Sequence, residues 1–150
     1  MRLISAVIVG LGIVLPGVVS AQEPSPPAPL PSVTLPPPLD RVLRDYERHW
    51  RAGNADSLAA LFVGDGFVLQ PGRPPVRGLV GITGAYRSNP GGRLALRAFA
   101  FATADTVGYI IGGFTMSSGE PDAGKFILAL RRSPAGPWKI AADMDNGNRR

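Results

Sequence analysis

The sequence predicts an α+β fold, a cone-shaped domain in which three N-terminal helices pack on a strongly curved, mostly antiparallel sheet. Two patterns lead to this prediction. Between residues 39 and 86, apolar residues recur at the spacing of amphipathic helices. After residue 92, stretches rich in β-branched and aromatic residues alternate with short turns, as in consecutive strands. A glycine pair inside the second of these stretches, Gly112-Gly113, indicates a bulge or bend that would curve the sheet.

Residues 1–21 have the features of a signal peptide. A positive start, Met1-Arg2, precedes an apolar run that breaks at Pro16-Gly17, and Val19-Ser20-Ala21 offers small residues for cleavage before Gln22. The run is shorter than the about 20 residues that a transmembrane helix needs, although an uncleaved anchor is the alternative. We therefore predict a secreted or periplasmic protein with no membrane contact beyond export.

Residues 22–38 are expected to form a Pro-rich, mostly disordered linker, because proline favours polyproline II and cannot donate a backbone hydrogen bond. The domain then covers residues 39–150, which is enough for one compact unit. The chain contains no cysteine, so the core must supply the stability without disulfides. The net charge is +5, but the cations are spread along the chain, and we expect no nucleic-acid partner.

The first helix is predicted from Leu39, where apolar residues follow helical spacing and arginines occupy the other faces. The arginines could form an anion-binding ridge, but we favour a solvated helix face. Gly53 fits the left-handed position that ends a helix, and Asn54 or Asp56 can cap the second helix. The apolar stripe of the first helix is Leu39, Val42, Leu43, Tyr46 and Trp50, and the second helix is expected to bury Leu58, Leu61 and Phe62.

The chain is then expected to turn at Gly64-Asp65-Gly66 and to enter a short strand over residues 67–70. A third helix is predicted to begin at Gly78 and to end at Asn89. Four further strands follow, and their short connections make them antiparallel neighbours. The third helix should direct Leu79, Ile82 and Tyr86 inward, and the four strands are predicted at residues 93–103, 107–117, 125–132 and 138–145.

Three segments of the domain occur together in one known group of proteins. They are the break Arg51-Ala52-Gly53-Asn54, the segment Val76-Arg77-Gly78 and an ending that runs from Gly124-Lys125-Phe126 to Asp143-Met144-Asp145-Asn146. Over about residues 39–146, the chain resembles the SnoaL-like group of the nuclear-transport-factor-2-like superfamily. The resemblance implies a conical cavity beside the first helix and dimerisation through the outer face of the sheet. It implies no single activity, because the superfamily contains isomerases, cyclases, dehydratases and assembly modules.

Ketosteroid isomerases are the relatives whose pocket is best understood. The resemblance places their oxyanion-stabilising tyrosine on Tyr46. It places their general-base aspartate on Gln70, an amide that cannot accept a proton near neutral pH, and their protonated aspartic acid near Gly124. Isomerisation by that mechanism is therefore not expected.

Two further sets of side chains are candidates for chemistry. Tyr46 and Trp50, one helical turn apart, could line a ligand cavity with the phenol as a donor, and ordinary core packing is the alternative. Asp143 and Asp145 share one face of the last predicted strand. We favour a solvated strand end for this pair, with Asp143 as the choice if one carboxylate turns inward. In the solvated arrangement, the two carboxylates would pair with Lys125 or Arg131. In the inward arrangement, Lys125 could hold the Asp143 side chain in place or bind an anionic ligand.

Other kinds of site find little support. His49 is the single histidine, and we expect it on the surface; with no cysteine, neither a metal site nor a cofactor is predicted. The glycine pairs lack the spacing and setting of phosphate-binding loops. No serine lies in the Gly-x-Ser-x-Gly pattern of nucleophilic hydrolases.

We therefore predict an exported domain that binds a small apolar or amphipathic molecule in an internal pocket. The first alternative is an enzyme of lyase, isomerase or cyclase type, with Asp143 as base and Tyr46 as donor. The second is a homodimeric interaction module tethered by its Pro-rich arm. The residues expected to contact the ligand are Tyr46, Trp50, Phe62, Tyr86, Phe114, Lys125, Met144 and Asn146.

Overall fold

The computed structural model describes residues 28 and 30–148. The predicted signal peptide, residues 1–21, lies outside the described residues, as does most of the first half of the predicted linker. None of the described helices is long and apolar enough to cross a membrane. The elements are α1 (Pro37–Arg51), α2 (Ala55–Ala60), β1 (Phe62–Leu69), β2 (Val76–Arg77), α3 (Gly78–Tyr86), β3 (Ala95–Ala104), β4 (Val107–Thr115), β5 (Gly124–Arg131) and β6 (Lys139–Gly147).

The six strands form a single sheet in the order β2-β1-β6-β5-β4-β3. The last four strands are consecutive antiparallel neighbours, as predicted from their short connections. β1 joins the far side of β6 in parallel, and β2 pairs with β1 in antiparallel orientation. The three helices contribute buried residues to a core shared with the sheet. The predicted class, α+β with three helices on a curved, mostly antiparallel sheet, is confirmed.

The helix boundaries follow local sequence signals. α1 begins at Pro37, two residues before the predicted start, because proline suits the first helical turn, where its missing N–H is not needed. Gly53, with φ of 62°, follows the helix end in the left-handed region. Asn54 caps α2 by accepting a hydrogen bond from the Ser57 N–H at 2.9 Å.

The region between α2 and α3 differs from the sequence prediction. β1 begins at Phe62 rather than at residue 67, and Gly64-Asp65-Gly66 lies within it as a wide bulge, between the pairs Phe62–Ile140 and Phe67–Ala142. The short strand β2 was not predicted. Leu79, Ile82 and Tyr86 were expected to face inward. α3 does direct Ile82 and Tyr86 into the core, whereas Leu79 is 42% exposed.

The pairing of β3 with β4 contains a bulge. Phe99 is an extra residue on β3, between the pairs Ala98–Gly112 and Ala100–Ile111. The bulge predicted at Gly112-Gly113 therefore exists, but its extra residue belongs to the neighbouring strand. Gly112 is required for a different reason, since a Cβ there would overlap the Arg97 carbonyl oxygen and the Phe126 ring.

The described end of the predicted linker packs against the domain. The Val33 N–H donates a hydrogen bond to the Ala98 carbonyl oxygen at 2.8 Å, and Leu35 is buried in the core. The guanidinium of Arg97 donates to the Leu30 carbonyl oxygen at 2.6 Å while it binds the carboxylate of Asp122. Residues 30–36 therefore lie along β3 instead of forming a free tether.

Candidate functional site

A cavity of about 450 Å³ lies between the C-terminal half of α1, the end of α3 and the concave face of the sheet. Its volume falls in the range of small-molecule sites. The walls are mainly apolar, and the mouth includes Gln70, Pro71, Arg73 and Met116. Side chains from the interior of the sheet line the cavity at Leu94, Leu96, Phe114, Phe126 and Leu128.

α1 is held in place over this cavity by a charged clamp. The buried carboxylate of Glu47 accepts a hydrogen bond from the Leu96 N–H at 2.6 Å. Arg44 binds the same carboxylate and also donates to the Leu96 carbonyl oxygen at 2.8 Å. Because β3 and α1 are fixed in this way, the adjacent Tyr46 and the following turn of the helix lie against the cavity.

Three oxygen atoms form a triangle in the cavity wall. The hydroxyl of Tyr46 lies 2.9 Å from Oδ2 of Asp143, and the hydroxyl of Tyr86 lies 3.0 Å from the same atom. The two hydroxyls are 2.9 Å apart. All three residues are at most 8% exposed, and they come from α1, α3 and β6. The fold therefore gathers three distant parts of the chain into one polar cluster.

The number of hydrogen atoms in the triangle favours a neutral Asp143. Three oxygen–oxygen contacts need three hydrogens, and the two tyrosines supply two of them. A proton on Oδ2 completes a closed ring in which every oxygen donates once and accepts once. When Asp143 is ionised, both tyrosines donate to Oδ2, and the contact between the two hydroxyls has no hydrogen.

The surroundings of Asp143 also favour its neutral form, because they raise its pKa. Burial raises the pKa of Asp143 from 3.8 to about 6, against the opposing effect of the hydrogen bonds from Tyr46 and Tyr86. The negative charge of Asp145 raises it further, and burial also raises the pKa of Asp145 itself. Burial and the charge of Asp143 hold the pKa of Tyr46 and of Tyr86 well above the usual value, so both phenols stay protonated.

The second carboxylate oxygen of Asp143 faces the cavity. Oδ1 accepts no hydrogen bond from the described residues, and no described buried polar side-chain atom is left without a partner. Oδ1 therefore retains contact with the cavity, which Asp143 lines. It can accept a hydrogen bond from a bound molecule when Asp143 is neutral, and it can take a proton when Asp143 is ionised.

Aromatic rings surround the cluster. Trp50 stacks on Tyr46 with ring centroids 6.4 Å apart and meets Tyr86 edge to face at 6.3 Å. The Asn89 side chain donates to the Trp50 carbonyl oxygen at 3.2 Å, which ties the end of α1 to the loop after α3. The polar triangle is therefore set among rings that hold its hydroxyls in place.

The structure brings together five of the residues predicted for the site. Tyr46, Trp50, Tyr86, Phe114 and Asp143 all line the cavity. The favoured arrangement of Asp143 as part of a solvated strand end is wrong, because its side chain is buried and bound by two tyrosines.

Four other predicted residues lie elsewhere. Phe62 is buried in the core against the Tyr86 ring and does not reach the cavity. Met144 is 51% exposed on the outer face of the sheet, and Asn146 is exposed on the same side. Lys125 is also exposed and donates to the Gly147 carbonyl oxygen, so it does not order Asp143. Arg131 pairs with Asp65 on β1 instead of with the Asp143–Asp145 pair.

One irregularity in β6 explains the positions of Asp143, Met144 and Asn146. Ala129 pairs with Ala142 whereas Leu130 pairs with Ile140, so Ala141 is an extra residue in β6. Strict alternation from the buried Ile140 would place Met144 inward and Asp143 outward. The bulge at Ala141 reverses that assignment for the rest of the strand.

Sequence reasoning missed several cavity residues that a strand pattern could have revealed. Gly124, Phe126, Leu128 and Leu130 alternate along β5 and are all buried, and two of them line the cavity. Arg73 at the mouth had no such signal, because its position depends on the turn between β1 and β2.

Of the three positions that the resemblance equates with catalytic residues of ketosteroid isomerases, Tyr46 keeps its side chain in the cavity, and the other two carry no acid. Gln70 lines the cavity mouth and remains an amide. A side chain at Gly124 would overlap the ring of Phe114, so this position has no room for a carboxylic acid. The carboxyl group of the cavity comes instead from Asp143 on β6.

Within residues 28 and 30–148, no group of three or more His, Asp or Glu side chains is placed to hold a metal ion. His49 is half-buried on α1 and does not line the cavity.

Comparison with known proteins supports the fold. No family model matches the sequence, and no curated protein matches it. Solved structures of similar shape include the following three. A ketosteroid isomerase-like protein from Erwinia carotovora atroseptica has a TM-score of 0.62 and 19% identity over 74% of this chain and 94% of its own. A protein from Novosphingobium aromaticivorans, described as a possible scytalone dehydratase, has a TM-score of 0.62 and 17% identity over 74% of this chain and 82% of its own.

An NTF2-like protein of unknown function from Shewanella oneidensis has a TM-score of 0.60 and 17% identity, over 72% of this chain and 95% of its own. At these identities the likeness is one of fold. The described part of the chain therefore has the fold of the nuclear-transport-factor-2-like superfamily.

Proposed function

We propose that the domain binds a small amphipathic molecule in the cavity, with a polar group of the ligand at Asp143. One observation carries the proposal: Oδ1 of Asp143 has no hydrogen-bond partner among residues 28 and 30–148 and faces an apolar cavity of about 450 Å³. A buried acceptor of this kind gains a hydrogen bond when a ligand hydroxyl or N–H reaches it. The apolar body of the ligand would pack on Trp50, Phe114 and Phe126.

The mouth of the cavity suits a ligand with a second polar end. Gln70 and Arg73 lie there, and Arg73 forms no ion pair with the described residues. A long molecule could place its apolar part inside and a polar or anionic end beside Arg73.

A pair of matched variants tests this proposal. Ala85 lines the cavity from α3, and Ala85→Phe would fill part of the space. Val80→Phe adds similar bulk on the same helix at a side chain that is 90% exposed. Thermal-shift and calorimetric titration with sterols, fatty acids and aromatic acids should reveal a ligand for the unaltered protein. Its affinity should fall at least about tenfold in Ala85→Phe and stay unchanged in Val80→Phe. No binding by any compound, or equal losses in both variants, would contradict the proposal.

A second candidate is an enzyme of lyase, isomerase or cyclase type. It is favoured by the inward position of Asp143 and by burial, which raises the pKa of this residue to about 6. A carboxylate with such a pKa is a stronger base than an exposed one, and Oδ1 faces the space where a substrate would lie. Tyr46 and Tyr86 would then stabilise the ionised form by donating to Oδ2.

Proton transfer can be separated from binding. Ligands found by the titration are incubated with the protein in D₂O, and NMR follows exchange at carbons next to a carbonyl group. A general base at Asp143 predicts exchange that increases as the pH rises through about 6, and that Asp143→Asn abolishes while the ligand still binds. If bound carbonyl compounds show no exchange, the enzyme hypothesis fails and the binding function stands.

A homodimer is supported by the outer face of the sheet. Ile111, Ile127 and Met144 are paired neighbours on β4, β5 and β6, and each is at least 39% exposed. An uncharged row of this kind can pack against its own copy across a two-fold axis without burying an unpaired charge. Light scattering of the unaltered protein should give a dimer, and Ile127→Lys should give a monomer. A monomer at all concentrations would contradict this proposal.

A further inference from the structure

A second cleft lies away from the cavity, between the start of α1, the end of α2 and the turn from β5 to β6. It encloses about 650 Å³ and shares no lining residue with the cavity. On α1 the cleft is lined by residues from Pro38 to Asp45 and the cavity by Tyr46 and Trp50; on β6 the cleft is lined by Lys139 and the cavity by Asp143 and Asp145. Any role of the cleft is therefore independent of the function proposed for the cavity.

Three cations line this cleft: Arg41, Arg132 and Lys139. None of them forms an ion pair with the described residues, whereas Arg44, Arg48, Arg97 and Arg131 do. The one carboxylate in the lining, Asp45, is bound by Arg48 at 2.7 Å. The cleft therefore has an excess of positive charge that the protein does not neutralise.

Arg132 and Lys139 are held in place by protein contacts, and each keeps N–H groups that make no hydrogen bond with the described residues. The guanidinium of Arg132 lies over the Trp138 ring at 4.5 Å, and its Nε donates to the Asp105 carbonyl oxygen at 2.9 Å. Its two terminal nitrogens make no hydrogen bond with the described residues. The Lys139 ammonium makes one hydrogen bond, to the Ala60 carbonyl oxygen at 3.3 Å, out of the three that it can donate.

Arg41 completes the set from the exposed side of α1. It makes no side-chain hydrogen bond with the described residues, so its guanidinium is free to bind a ligand. The sequence interpretation of the α1 arginines as a solvated face fits Arg48, which pairs along the helix. Beside Arg41, however, the fold places Arg132 and Lys139, and the helix pattern alone could not reveal these neighbours.

The rest of the lining is mostly apolar. Pro38, Leu61 and Pro137 contribute walls beside the half-buried Trp138. Free guanidinium nitrogens bind phosphate, sulfate or carboxylate oxygens in charge-assisted hydrogen bonds, and the planar group allows bidentate contact. Apolar walls favour a ligand that carries such a group on a hydrocarbon or aromatic body.

We propose that this cleft is a second binding site, for an organic oxyanion whose charged group lies among Arg41, Arg132 and Lys139 and whose apolar body packs on the adjacent walls. A free organic phosphate and an anionic lipid headgroup share this chemistry.

The test uses phenyl phosphate, inorganic phosphate and vesicles of phosphatidylglycerol and phosphatidylcholine. The chain has two tryptophans, so Trp50→Phe leaves Trp138 as the single fluorescent reporter in the cleft. Calorimetry on the unaltered protein gives the affinity without a reporter. Phenyl phosphate should bind saturably, change the Trp138 emission, and bind more tightly than inorganic phosphate.

Two variants with equal loss of charge separate a site from general attraction. In the first, Arg41, Arg132 and Lys139 are all replaced by Ala. In the second, the exposed Arg51, Arg87 and Arg93, which lie outside the cleft, are replaced by Ala. The first should bind phenyl phosphate at least about tenfold more weakly than the second. Should the triple cleft variant not fold, Arg41→Ala alone removes one free guanidinium without breaking a contact.

Each outcome decides the proposal. Cleft-dependent binding of phenyl phosphate without vesicle binding supports the site with a free molecule as its source, and cleft-dependent vesicle binding supports it with a lipid headgroup. Equal losses in the two triple variants, equal affinity for inorganic and phenyl phosphate, or no binding of any probe would overturn it.

Discussion

Asp143 makes the stability of the fold depend on pH, and Asp143→Asn should remove that dependence. In the unfolded chain Asp143 has its usual pKa of 3.8, whereas burial raises the pKa of the folded protein to about 6. Between these two values the folded state holds a proton that the unfolded state has released. The contribution of Asp143 to stability therefore falls as the pH rises from about 4 to about 6 and then stays level. At 1.36 kcal/mol per pH unit, the loss is about 3 kcal/mol.

The variant changes sign across this range. At pH 4, Asp143 is neutral and closes the ring with Tyr46 and Tyr86. An Asn amide nitrogen cannot both donate and accept there, so Asp143→Asn loses one hydrogen bond and about 1 kcal/mol. At pH 7 the unaltered protein carries the cost of about 3 kcal/mol, which Asn avoids. The variant should therefore be about 1 kcal/mol less stable at pH 4 and about 2 kcal/mol more stable at pH 7.

Urea unfolding at a series of pH values measures this difference directly. Asp105→Asn is the matched control, because Asp105 is exposed and has a positive φ of 40°, which Asn tolerates. The control should follow the unaltered protein at every pH. A constant difference between Asp143→Asn and the unaltered protein from pH 4 to pH 7 would refute the reasoning, since it would mean that Asp143 does not titrate differently in the two states.

Four further results are expected. Tyr86→Phe removes a hydrogen bond that lowers the pKa of Asp143, so NMR titration of its carboxyl carbon should give a value above about 6, and an unchanged value would show that the contact is not made. Gly112→Ala should cost more than about 2 kcal/mol of unfolding free energy through overlap. Gly84→Ala, in α3 with open space around it, should raise the unfolding free energy by about 0.5 to 1 kcal/mol in the same urea measurement. Equal changes in unfolding free energy for Gly112→Ala and Gly84→Ala would contradict this account. Mass spectrometry of the protein from an expressing cell should find a mature N-terminus at Gln22, whereas an intact Met1 would disprove cleavage.

The fold could be predicted from sequence because its signals are local. The stripe from Leu39 to Trp50 fixes the inner side of α1 through helical periodicity alone. The short turns after Ala104 and Arg131 leave consecutive strands no arrangement other than antiparallel neighbours. The pairing of β1 with β6 could not be predicted, because it joins residues as far apart as Phe62 and Ile140 and carries no local pattern.

The candidate site was predictable only in part, and the reason is a single residue. Periodicity of two along β6 depends on an uninterrupted strand, and Ala141 interrupts it. Met144 was expected to contact the ligand and Asp143 was favoured as part of a solvated strand end, whereas Met144 is exposed and Asp143 is buried. Alanine has no conformational signature of a bulge, so nothing in the local sequence could have revealed the change. Tyr46 and Tyr86 lie on helices and were placed correctly for that reason.

Residues 30–36 lie along β3 and cover part of an edge of the open sheet. β3 is one of the two edge strands, and an exposed strand edge can recruit extended segments of other molecules into fibrillar aggregates. Val33 occupies part of this edge through its bond to Ala98, while Pro31 and Pro36 on either side have no N–H with which to extend the ladder. The Pro-rich arm thus blocks further strand addition without presenting a new adhesive edge of its own, a form of protection suited to a domain that has no disulfide to keep it closed.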